Sequence, residues 1–211
     1  MTDMWMVRAG EEAFLIDDFK NLSKIAIGWE VGDLSGKSQD EIKQIMEDKY
    51  PDSTKTSLAI QSSQVIKFVF EFEIGDYVIS YDHFTRKYLV GQITSDYYYS
   101  DIFSQKYDKN EGFYSHVRDV KWIGETVRDN LSDNTARSLN AISTIFAIQN
   151  ASKNDILYSM NMGKVEWTDF YMELADKLLK YKNDRLSLIN KIQNIFDELN
   201  MNLPSLERND D

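Results

Sequence analysis

Ile74-Gly75-Asp76-Tyr77-Val78-Ile79-Ser80-Tyr81 decides the fold. From Tyr77 onward the apolar residues alternate with period two, which places successive side chains on opposite faces of a strand. The same grammar returns at Tyr88 to Thr94, Tyr97 to Tyr99 and Tyr114 to Ile123, with turn residues between, so the middle of the chain reads as a β-rich unit. Upstream, Trp5 and Val7 followed by Arg8-Ala9-Gly10 predict a short strand and a tight turn, and Glu11 to Lys20 a short helix. Ile25, Ile27 and Trp29 predict a second strand. Ser38 with Glu41 three residues later is a capping box, in which side chain and backbone satisfy each other at a helix start; it opens a helix that Pro51 stops. Ser53 to Phe70 predicts a further helix, with a strand as the alternative near its end.

Downstream, Leu131 to Gln149 predicts a helix capped by Ser132 and an apolar segment from Ile142 to Ile148, and a boundary falls at Asn150 to Asn154. Beyond it Trp167, Phe170, Tyr171, Leu174, Leu178 and Tyr181, then Leu188, Ile189, Ile192, Ile195, Phe196 and Leu199, recur at helical spacing. The expectation is an α+β domain over residues 1–150, a helical segment over 151–200, and a linker over 201–211.

Composition excludes several chemistries. There is no cysteine among the 211 residues, which removes disulfides, thiolate metal sites and a thiol nucleophile and fits a reducing compartment. No apolar run approaches the roughly 20 residues that span a bilayer, and Met1 to Gly10 lacks the order of a signal peptide, so a soluble cytoplasmic protein is expected. The net charge of −11 argues against a nucleic-acid partner, since phosphate binding leaves a basic footprint. Residues 1–152 hold 16 Lys and Arg against 24 Asp and Glu. Arg118, Lys121, Arg128 and Arg137 nonetheless follow one another within 20 residues, as a local positive face or as scattered solvated charges.

Three motifs approach catalysis without reaching it. Leu34-Ser35-Gly36-Lys37-Ser38 looks like the end of a phosphate-binding loop, but the glycine needed five residues before Gly36 is Val31. Asp119-Val120-Lys121, with Asp96 or Asp101, offers part of a nuclease metal site, at a spacing common by chance. His83 and His116 have no matching partner and read as polar residues on strand edges. Aromatic density beside turns is the stronger signal: Trp29 at a strand end, Tyr81 before Asp82, and Tyr97-Tyr98-Tyr99. Three consecutive tyrosines cannot all enter one core, so at least one faces solvent or a pocket. Aromatic walls with an acid or backbone acceptor are what a flipped base requires, and ordinary packing is the other reading.

In order, Trp5-Met6-Val7-Arg8-Ala9-Gly10, Ile25-Ala26-Ile27-Gly28-Trp29, Ile74 to Tyr81, Leu89-Val90-Gly91-Gln92-Ile93 and His116-Val117-Arg118-Asp119-Val120-Lys121-Trp122 resemble the PUA-like superfamily that includes the EVE and YTH domains. Glu166-Trp167-Thr168-Asp169-Phe170-Tyr171 and Asn202-Leu203-Pro204-Ser205-Leu206-Glu207 resemble the helical stretch before the AAA+ motor of McrB-type, modification-dependent restriction proteins. The resemblance implies a small β-barrel flanked by helices that flips a methylated base of duplex DNA, 5-methylcytosine or N6-methyladenine, into an aromatic pocket of Trp29, Tyr81, Asp82, Tyr97, Tyr98 and Tyr99. Arg8, Arg86, Lys87, Arg118, Lys121 and Arg128 would contact the DNA backbone. It further implies a non-catalytic chain without cofactor, with GTP, magnesium and a McrC-like nuclease belonging to the motor of a longer parent. The alternatives left by the residues are a protein-interaction module of a defence complex and a small nuclease.

Overall fold

The computed structural model describes residues 2–103, 114–162 and 185–198. A first compact unit runs to Gly163. Its strands are β1 (Met4–Val7), β2 (Lys24–Ile27), β3 (Tyr77–Asp82), β4 (Lys87–Ile93), β5 (Tyr98–Tyr99), β6 (His116–Val127) and β7 (Ile145–Ala147). They lie in the order β2-β6-β4-β3-β1-β7, with β5 also pairing with β6. The β1–β3 pair is parallel and the others are antiparallel. Around this curled sheet stand α1 (Ile16–Leu22), α2 (Gln39–Lys49), α3 (Lys55–Ile66), α4 (Asp133–Ser138) and α5 (Asn150–Met162). The α+β class expected from the sequence, a small curled sheet flanked by helices, is what the structure shows. A second unit contains α6 (Arg185–Glu198).

The Gly75-Asp76 step explains how β1 joins the sheet. Gly75 takes φ 97°, open to glycine at little cost, and turns the chain into β3. The Asp76 carboxylate then accepts from the Asp3 N–H at 2.8 Å, the Trp5 indole N–H at 3.0 Å and the Glu73 N–H at 3.2 Å. One buried acid thereby fixes the start of β1 beside β3.

Alternation along β1 feeds two cores. Trp5 and Val7 enter a cluster with Phe19, Ile25, Phe68, Phe103 and Val117. Met4 and Met6 enter another with Ile79, Val90 and Ile156. A third cluster, Leu34, Ile42, Met46 and Val65, joins α2 to α3. Each such side chain, removed from water, contributes about 1.5–3 kcal/mol before entropy is counted. Strand β6 lies between β2 and β4, pairing with β2 and β5 through its first residues and with β4 through its last. A bulge at Val90/Gly91 bends it. Gly91 is required there, since a Cβ would lie 2.4 Å from Val120 Cγ1.

The capping box forms as read: the Ser38 Oγ accepts from the Glu41 N–H, and the Glu41 carboxylate accepts from the Ser38 N–H at 2.8 Å. Two expectations change. Glu11 to Lys20 is not one helix, because Glu12 and Ala13 take φ 51° and 62° and break it before α1 begins. The boundary read at Asn150 to Asn154 is the first turn of α5, whose Ile156 and Met160 are buried in the second cluster, so the first unit reaches Gly163. The aromatic stripe Trp167 to Tyr181 and the linker 201–211 lie outside the described residues.

Candidate functional site

His116 opens β6 and is fully buried, not the edge residue the sequence suggested. Its Nε2 lies 2.9 Å from the Trp29 carbonyl oxygen, which can only accept. Nε2 therefore carries the proton, and Nδ1 accepts from the Tyr97 hydroxyl at 3.0 Å. That hydroxyl in turn accepts from the Leu34 N–H at 3.2 Å. Burial lowers the His116 pKa below its ordinary value and pushes Tyr97 up to about 12, so at neutral pH the imidazole is neutral and the phenol keeps its proton. Every member of the chain has the protonation state that its hydrogen bonds require, which makes the arrangement rigid.

Trp29 is set by this chain at its backbone and by α3 at its ring. The indole N–H donates to Gln61 Oε1 at 3.2 Å, and Gln61 Nε2 donates to Ser57 Oγ at 3.0 Å. The ring stays half-buried between the first and third clusters. More aromatics adjoin His116 and Gly28. Tyr97 stacks on the His116 ring at 5.9 Å, and Tyr99, 42% exposed, meets it edge-on at 5.6 Å. Tyr114 packs so closely on Gly28 that a Cβ there would lie 2.9 Å from its ring, and Phe14 meets Tyr114 edge-on. Strand alternation separates the three tyrosines as read. Tyr98 sends its hydroxyl elsewhere, donating to Asp119 Oδ1 at 2.7 Å and accepting from Lys24 Nζ at 2.8 Å.

The other expected pocket residues sit at the β3–β4 turn. Tyr81 packs on Tyr88 at 4.8 Å and lines a cavity of about 70 Å³ with Arg8, Gly10 and His83. Such a volume holds about two waters, not a base. Asp82 is occupied by its own turn, accepting from the Phe84 N–H at 2.9 Å, the Thr85 N–H at 3.3 Å and the Thr85 hydroxyl at 2.6 Å. The structure brings Trp29, Tyr97 and Tyr99 together at His116, with Tyr81 and Asp82 in a separate group and Tyr98 directed to a salt bridge. His116, Tyr114 and Gln61 were missed; each acts through non-local contacts, which leave no spacing signal.

The cations expected on the DNA backbone are largely spent. Arg118 is 2% exposed and donates to the carbonyls of Phe68, Ser95 and Val69 at 2.8, 3.1 and 3.0 Å. It is a buried strut, and its expected phosphate contact is withdrawn. Burial brings its pKa down to about 10, still cationic at pH 7. Arg8 donates to the carbonyls of Ser143 and Ala141, Arg86 pairs with Asp129, Lys87 with Glu125 at 3.1 Å, and Arg128 donates to Asn140 at 3.4 Å. Lys121 is exposed. Asp119 of the nuclease alternative is held by Lys24 and Tyr98. The near miss for a phosphate loop is a turn at Gly36, φ 72°, leading to the Ser38 cap. Among the described residues, no three His, Asp or Glu gather as a metal site, and no helix is long and apolar enough to cross a membrane.

No curated protein matches this sequence. Among solved structures, the Mmi1 YTH domain in complex with RNA is similar at 12% identity over 76% of this chain and 79% of that one, with a TM-score of 0.41. A hypothetical protein from Leishmania major is similar at 13% identity over 78% and 98%, with a TM-score of 0.40. Likenesses at this level carry no function across. A domain of unknown function, DUF8426, matches residues 5–149, more than half of the sequence. The chain belongs to the DUF8426 family.

Proposed function

We propose that this chain is a non-catalytic reader of a modified base in nucleic acid, holding the base against Trp29, Tyr97 and Tyr99. The observation that carries the reading is the His116 arrangement, which fixes the Trp29 backbone and the Tyr97 ring in one rigid group while leaving Trp29 half-buried and Tyr99 open. Planar rings held in place offer stacking to a base at little entropic cost, and a few neighbouring polar atoms suffice to read its edge. The sequence resemblance to EVE and YTH domains supports the same reading and adds its finer form: a methylated base flipped from DNA, in the specificity part of a McrB-like restriction system whose motor and McrC-like nuclease lie elsewhere.

The test compares binding of matched strands and duplexes with and without 5-methylcytosine or N6-methyladenine. Tighter binding of one modified form is expected, and equal affinity for all forms overturns the reading. Trp29→Ala should then remove about 1–3 kcal/mol of that preference, the contribution of one stacked base. A second reading, a protein-docking module, is favoured by Phe84 at 80% and Ile142 at 97% exposure. Self-association or partner capture lost on Phe84→Ser, with no nucleic-acid binding, would establish it.

A further inference from the structure

A nucleic-acid ligand brings one negative charge per nucleotide, and most cations among the described residues already have partners in the protein. One surface differs. A cleft of about 680 Å³ lies between α3 and β7, and among the described residues its charged lining is Lys55 and Lys67, with no aspartate or glutamate, on a chain of net charge −11. The cleft on the other flank of α3, facing α2, mixes Lys43 and Lys55 with Glu47 and Glu71. Charge therefore distinguishes two sides of one helix.

The acid-free cleft also carries the donors that a phosphate uses. Thr56, Ser63 and Ser143 present hydroxyls along it, and Ile60, 52% exposed, gives an apolar surface with Phe146. Lys55 and Lys67 are 12 residues apart, about 18 Å at the helical rise, far enough to meet two separate phosphates of one strand. The same helix supplies Gln61, which holds the Trp29 indole.

We infer that the α3–β7 cleft is the path of one phosphodiester strand, with Lys55 and Lys67 neutralising its phosphates. The inference rests on the base-reading proposal for the nature of the ligand, but not for the cleft. An acidic peptide is the competing occupant. A strand is favoured because the lining pairs its cations with hydroxyl donors, and because α3 also anchors the aromatic group.

The experiment measures binding of a short labelled single strand, unmodified and methylated, as a function of salt. Lys55→Gln/Lys67→Gln should weaken both strands equally and make the slope of log K against log salt shallower by about 1.4, about 0.7 per lost phosphate contact. Lys43→Gln/Lys49→Gln changes the net charge identically at lysines paired with Asp40 and Glu30, and should leave the slope unchanged. Equal slopes in wild type and the Lys55/Lys67 variant, the same change in both variants, or no binding of any strand would overturn the inference. So would lysine-dependent binding of a polyglutamate peptide in preference to the strand. If slopes respond but methylation makes no difference, the cleft stands and base reading fails. If methylation is read while the slope is unmoved, base reading stands and the cleft fails.

Discussion

Trp29 with Tyr97 to Tyr99, and Tyr81 with Asp82, present the same sequence signal: aromatics and polar residues at a strand end. The structure treats them in opposite ways. At the first, each group is held by a residue far along the chain: Trp29 by His116 and Gln61, Tyr97 by His116 and Leu34. At the second, Asp82 is bonded to residues two and three positions later. The difference separates a site assembled by the fold from a turn that assembles itself. A ring held by distant partners keeps its position only while the fold is intact, so the two regions should respond differently to perturbation.

The largest effect is expected at Arg118, which ties β6 to the segment ending α3 next to the His116 group. Arg118→Met leaves the carbonyls of Phe68, Val69 and Ser95 without a donor in a buried setting, and should cost about 3–5 kcal/mol in urea unfolding. A loss below about 1 kcal/mol would mean that water replaces the guanidinium, and the strut reading would go.

His116→Gln comes next, at about 2 kcal/mol for two hydrogen bonds near neutral pH. It also has a pH signature. Because burial holds the His116 imidazole below its ordinary 6.5, the unfolded chain takes up the proton first, so wild-type stability falls as pH drops below about 6.5. The glutamine variant should lose that part of the slope. Parallel pH–stability curves for the two proteins would show that His116 is not the buried neutral group described.

Asp82→Ala should cost least, about 1 kcal/mol, with no change in ligand preference. A larger loss than at Arg118, or a lost preference for a modified base, would reverse the comparison and move the site to the β3–β4 turn.

Local chemistry was legible in the sequence. The Ser38–Glu41 box, the period-two strands and the division of Tyr97, Tyr98 and Tyr99 between faces depend on neighbours a few residues away. Arg118 was misread because its surroundings come from the residues after α3, about 50 positions earlier, and a strand arginine looks the same whether or not a helix end covers it. His116 failed for the same reason. At α5 the polar run Asn150 to Asn154 resembles a linker, and the buried Ile156 and Met160 that contradict it come one and two turns later. The helix expected from Glu11 was lost to the left-handed backbone of Glu12 and Ala13, which no propensity foretells.

The position of β1 has a consequence for synthesis. Met4 to Val7 pair on one side with β3, some 70 residues later, and on the other with β7, about 140 residues later. A ribosome therefore releases this strand long before either partner exists; its four buried residues wait for β3, and one of its edges stays open until Ile145–Ala147 emerge. Closing loops of that length precedes the reward of pairing, which slows folding and prolongs exposure to aggregation. Nascent-chain lengths that stop short of residue 147 should remain protease-sensitive at β1, and the transition to protection should come late and all at once.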